Sequence, residues 1–216
     1  MKKSPVAINP FKKLLNAVLE IFVNPTCRYC TIAGSFRFFG GYAIGFFMPS
    51  YFKDNYGDYK LEYSIGNAVI VSACGFSSSI IGGYVSDKYE QKGIYMIKAY
   101  VCIFSGIFGI PTIMGCTLIK SNFWISISSL ALEYLVAECW GAPNVTMILN
   151  TISAENKGFA VSGYIFCCTI AGTISTILLG WINKKFDSIS EKSLTLCIFV
   201  IISYGGSLPF FYLAGR

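Results

Sequence analysis

The sequence contains no histidine. That excludes histidine-ligated haem and zinc, Ser-His and Cys-His nucleophile pairs, and any imidazole proton relay. Charge is scarce too: Asp, Glu, Lys and Arg make up 13% of the 216 residues, against about 25% in a soluble domain. Hydrophobic residues reach 54%, aromatics 16%, and the mean hydropathy is +0.59. Too little polar surface remains to hold a chain of this size in water. The composition therefore defines an integral, multi-pass membrane protein and argues against a soluble enzyme, a nucleic-acid binder or a disordered chain. No paired acidic motif and no nucleophile with a base at helical spacing is present, so no enzyme activity and no cofactor are expected.

Six apolar runs are present, at about 30–52, 65–85, 94–118, 123–149, 159–182 and 194–213, each near the roughly 20 residues that a spanning helix needs. They are continuous rather than alternating, which predicts helices and not strands. Seven of the nine cysteines (Cys74, Cys102, Cys116, Cys139, Cys167, Cys168 and Cys197) lie inside these runs, where Cys behaves as a small hydrophobe. Cys27 and Cys30 form a lone CxxC, and one pair without a second pair or a histidine predicts no metal site.

Ahead of the runs, Phe11, Leu14, Leu15, Val18, Leu19 and Phe22 recur at helical spacing, with Lys12, Lys13, Asn16 and Glu20 on the other side. This stretch is too short to span and reads as an amphipathic helix lying on the membrane surface, ended by Pro25. The expected division is a cytoplasmic segment at 1–26 and a six-helix transmembrane domain at 27–216. With the N-terminus inside, that side holds ten basic residues (Lys2, Lys3, Lys12, Lys13, Arg28, Lys88, Lys92, Lys98, Lys157, Arg216). The other side holds six (Lys53, Lys60, Lys120, Lys184, Lys185, Lys192), which favours both termini in the cytoplasm.

The second run closes on Gly83-Tyr84-Val85-Ser86-Asp87-Lys88-Tyr89 and the fifth on Gly180-Trp181-Ile182-Asn183-Lys184-Lys185-Phe186. Both read Gly, aromatic, aliphatic, polar, charged, Lys, aromatic. The runs thus read as two three-helix units, the second inverted because the first crosses an odd number of times. Chance is the competing explanation, since helix ends often combine these residue types.

The loop GGYVSDKYEQKG resembles the signature loop of the major facilitator superfamily, G-x-x-x-D-[RK]-x-G-[RK]-[RK]. Gly83, Asp87, Lys88 and Lys92 match, whereas Glu90 stands in place of the usual Gly and Gln91 in place of a base. The segment WGAPNVTMILNTISAENKGFAVSGYIF is similar to the fourth-to-fifth helix join of such proteins. The chain resembles a C-terminal six-helix half of that superfamily, its wider pattern being nearest the Spinster-like branch. The resemblance implies a secondary transporter, symporter or uniporter, that moves a small organic solute by alternating access. It also implies that Asp87 latches one face through a basic partner and a neighbouring helix end.

Charges inside membrane runs cost about 2.5–3.5 kcal/mol at a helix centre on insertion scales and usually face a cavity or one another. Arg37 in the first run and Glu133 and Glu138 in the fourth are the candidates, with Glu138 nearest Arg37 in depth. The two glutamates lie about 140° apart around the helix and cannot share a narrow face. In the superfamily these two helices line the central cavity. The functional reading has Arg37 binding an anionic group of the solute through a charge-assisted fork, with one glutamate carrying a coupling proton. The competing reading is a static Arg37–Glu138 pair that pins two helices. Lys98 lies close enough to its run's start to snorkel to the interface. Gly41 and Gly45 fit the small-xxx-small pattern of close helix packing, and Pro143 reads as a hinge or as the end of the fourth helix.

Six helices supply one wall of a cavity that normally lies between two halves. The expected partners beside the solute and the bilayer are therefore a second copy, a second six-helix half or a larger membrane complex. The chain then reads as a half-size transporter, a partial product or a fragment. A transporter-derived subunit that does not itself transport is the other reading.

Overall fold

The computed structural model describes residues 15, 19 and 22–216. The expected amphipathic surface helix lies mostly outside these residues. The described chain is helical and contains no strand.

Helix α1 spans Pro25–Asn55. Pro25 is its first residue, where a missing N–H costs nothing, and the Asn24 side chain caps it by accepting from the Cys27 N–H at 3.3 Å. Helix α2 runs over Gly57–Glu90 and widens into a π-helical segment at Ile70–Gly75. Helix α3 covers Ile97–Leu118. Helix α4 spans Phe123–Ala137, capped by Asn122, and α5 spans Gly141–Thr151; the single 3₁₀ turn Glu138–Trp140 joins them. Helices α6 and α7 cover Lys157–Asn183 and Ile189–Gly215. By length and apolarity α2, α3, α6 and α7 qualify to cross a membrane. The two segments that do not qualify, α1 and α4–α5, are those that carry Arg37, Glu133 and Glu138.

The break in the fourth run has a sequence cause. Pro143 has no N–H to return to the carbonyl of Cys139, four residues back, and its ring crowds that turn. Pro143 is thus neither the helix end nor the break itself; it opens the helix one turn earlier, and α5 continues to Thr151.

Helix α1 packs on α6 and α7, α7 also packs on α3, and α3 packs on α4, so α1 and α7 form the centre of the bundle. Helix α2 rests on α4, on the 3₁₀ turn and on α5. At one end, rings lock the start of α2 to α1 and α4: Tyr63 stacks on Phe52 at 4.4 Å and Tyr59 on Phe123 at 4.5 Å. Close helix approach is carried by Gly40, Gly82, Gly109 and Gly172, where an added Cβ would fall within 3.0 Å of a neighbour. Gly41 and Gly45 have open space where a Cβ would go, so the small-xxx-small reading fails there: both lie on a face of α1 that no described helix covers.

Candidate functional site

The centre of the bundle holds four chemistry-bearing side chains from three helices and the turn that follows α4. Arg37 sits about 18 Å along α1, near the helix middle, and is 2% exposed. Glu133 on α4 is 1% exposed, and Tyr204 on α7 is likewise 1% exposed. Glu138 opens the 3₁₀ turn and is partly exposed.

Arg37 donates from Nη2 to the carbonyl of Ala137, the residue before Glu138. Its guanidinium lies over the ring of Tyr204, 3.6 Å from the centroid, and 5.5 Å from that of Trp140. The Nε and Nη1 donors are buried with no hydrogen-bond partner. The Tyr204 hydroxyl donates to Glu133 Oε1. Arg37, Glu133, Glu138 and Tyr204 are all within electrostatic reach of one another.

The pinning pair does not form. Among the described residues the ion pairs are Lys98–Asp87 and Lys98–Glu90, and Arg37 pairs with neither glutamate. The faces of two aromatic rings and a backbone carbonyl occupy the guanidinium instead. Tyr204 and Trp140 were not legible as partners, because single aromatics in apolar runs look like ordinary core or interface residues.

A second charged cluster lies at one end of the bundle: the stretch expected as a loop is helical as far as Glu90, and the last turns of α2 bring Asp87 and Glu90 to Lys98 at the start of α3. Lys98 is 2% exposed and does not snorkel: it binds Glu90 directly and lies 3.8 Å from Asp87. Glu90, which departs from the signature loop, is thus the nearer partner of the buried lysine. The turn that a Gly at that position would supply comes at Gly93, which has φ +88. Ile94 N–H bonds to the Tyr89 carbonyl and Gly93 N–H to that of Glu90, the paired bonds of a Schellman cap. Lys88 and Lys92 are exposed and lie over their own helix's Tyr84 and Tyr89 rings at 5.6 and 5.0 Å, away from Lys98's cluster. Gly83 faces Ala142 on α5 at ordinary contact distance.

Fold and site together define an all-helical, multi-pass membrane protein with ionisable groups buried in its core. The sequence profile of the Organic Anion Transporter Polypeptide (OATP) family matches residues 1–122, more than half of the chain. The chain belongs to that family, a family of transporters related to the major facilitator superfamily. The matched stretch contains Arg37, residues 83–92 and Lys98, while Glu133, Glu138 and Tyr204 lie beyond it. Nothing in the match speaks for the Spinster-like branch. A comparison with curated proteins finds no match.

Proposed function

We propose that the chain is a half of a secondary active transporter that moves small organic anions across a membrane by alternating access, with Arg37 as the anion-binding residue. One observation carries this reading: a permanently charged guanidinium buried mid-helix with two donors unmatched. An unmatched buried donor costs about 1–3 kcal/mol, and more on a charged group. An anion that enters the core would satisfy both donors and the charge. At 2% exposure Arg37 is closed to solvent, so anion entry requires the helices to part, which is the motion alternating access supplies.

The order of neighbours supports two inverted three-helix units. Under such a symmetry α1 exchanges with α4–α5, α2 with α6, and α3 with α7. Helix α1 packs on α6 and α7; the matching contacts of α4–α5, on α2 and α3, are also made. Glu133 or Glu138 carries a coupling proton in this reading, and six helices span with both termini in the cytoplasm. The Lys98–Glu90–Asp87 cluster latches the cytoplasmic face, with Gly83, Lys88 and Lys92 in the same stretch. A second copy or a second six-helix half supplies the other cavity wall.

The test is uptake of radiolabelled organic carboxylates and sulfonates into proteoliposomes containing the full chain, with Arg37→Ala and Arg37→Lys. Both variants are expected to lose uptake by about tenfold or more, because lysine restores the charge but not the planar stack on Tyr204. Undiminished uptake by Arg37→Ala would refute the assignment. A native mass that places the chain in a large assembly, with no uptake, would favour the non-transporting subunit.

A further inference from the structure

Tyr204 touches both halves of the charge cluster, one with its ring and the other with its hydroxyl. Its place is built by absence. A Cβ on Gly40 of α1 would come 3.0 Å from the ring, and one on Gly109 of α3 would come 2.7 Å from it and 2.9 Å from the Ala137 Cβ. Two glycines and an alanine from three helices leave a slot that a flat ring fills, so the ring cannot swing away from Arg37. We infer that Tyr204 is the positioning residue that ties anion capture at Arg37 to proton loading at Glu133, an inference that rests on the anion-transport reading above.

Stacking uses the face of the guanidinium and leaves its edge donors Nε and Nη1 for the anion. The hydroxyl is both donor and acceptor. It donates to a charged Glu133 carboxylate and accepts from a protonated one, so the contact survives loading with its direction reversed. Charge counting gives the coupling. Arg37 supplies one positive charge, and an incoming monoanion adds a negative charge beside the carboxylates, which a proton taken up from water onto Glu133 offsets. The titratable and charged groups facing Glu133 are Arg37 of α1, Cys116 of α3, Tyr134 and Glu138 of its own run, and Tyr204 of α7; Tyr63 of α2 faces Tyr134. Tyr204 alone among them bonds Glu133 and stacks on Arg37.

The experiment uses the purified full chain with Trp140 as its only tryptophan (Trp124→Phe, Trp181→Phe), since Trp140 lies 5.5 Å from the Arg37 guanidinium. Quenching by 4-nitrobenzoate, a planar organic anion ionised throughout, gives a Kd at each pH between 5.5 and 8. The Tyr204→Phe variant keeps the ring and loses the hydroxyl. It is expected to hold its tightest Kd within about twofold of the parent, because the stack persists, while the parent's pH dependence of Kd flattens. Tyr204→Leu removes the ring and is expected to weaken binding about tenfold at every pH. If the leucine variant does not elute as a single species, the phenylalanine variant alone decides. A parent-like pH curve in Tyr204→Phe overturns the inference, as does an Arg37-dependent parent Kd with no pH dependence. A parent that binds no anion overturns the anion-transport reading itself, and the inference with it.

Discussion

Replacing Gly82 with alanine asks whether α2 is coupled to the Arg37 site through the 3₁₀ turn. A Cβ at Gly82 would lie 2.1 Å from the Cys139 carbonyl oxygen and 2.9 Å from the Cys139 Cβ. Close carbon–oxygen contacts between helices run at about 3.3 Å, so α2 and the turn must separate locally by about an ångström. The obstacle is backbone, and no side chain can rotate out of the way. Overpacking of this kind costs about 1–3 kcal/mol. Each kcal/mol lowers the melting temperature of a chain this size by about 2–4 °C, which places the expected fall between about 2 and 12 °C. Gly41→Ala and Gly45→Ala are the controls, since a Cβ there meets nothing within 4 Å. They should hold or raise stability, because alanine in a helix gains about 0.5–1 kcal/mol over glycine. The informative readout is anion affinity. The turn carries Trp140, and the Ala137 carbonyl precedes it, both against Arg37, so the displacement should weaken 4-nitrobenzoate binding as well. Thermal melting in detergent and Trp140 quenching measure the two effects. A Gly82→Ala variant that melts with the parent, or one that melts early with parental affinity, refutes the coupling.

The Lys98 cluster yields a graded prediction. Lys98 is buried, while the Glu90 and Asp87 side chains are 32% and 58% exposed. Glu90→Gln leaves the lysine with only a carboxylate 3.8 Å away and should cost about 1–2 kcal/mol, the buried-pair figure discounted for solvent. Asp87→Asn should cost about 0.5 kcal/mol or less; equal melting shifts would show that Lys98 does not favour Glu90. Pro143→Ala returns an N–H to the Cys139 carbonyl and should stabilise the helix by straightening it. It should also weaken 4-nitrobenzoate quenching, because the Ala137–Trp140 stretch then leaves Arg37; unchanged quenching would detach the break from the site.

The helices were legible because each is a long continuous apolar run, a signal that tertiary packing reinforces. Their limits were less so: α1 begins at Pro25, five residues before the first apolar run, because Asn24 and Pro25 form a start signal that hydropathy does not register. Gly41 and Gly45 satisfied a packing pattern yet face open space, while Gly82, spaced in the same way between Ser78 and Ser86, carries the closest approach. Spacing reports which residues share a helix face. It does not report which face meets a neighbour.

The site divides along the same line. Arg37, Glu133 and Glu138 stood out because a charge in an apolar run is costly enough to demand a reason. Their partners carry no such cost. Tyr204, Trp140 and the Ala137 carbonyl are ordinary constituents of a membrane helix, and only the helix crossing makes them ligands of a guanidinium. Pro143 connects the two kinds of information. It is visible in the sequence, and by withholding one N–H it breaks the fourth run at Glu138–Trp140, the turn against which Gly82 of α2 is pressed. Five residues beyond Gly82, about 7.5 Å along the same helix, Asp87 reaches Lys98. The turn beside the charged core and the Lys98 cluster are therefore held by neighbouring turns of one helix. A shift of α2 at Gly82 presses on the turn whose carbonyl and indole contact Arg37.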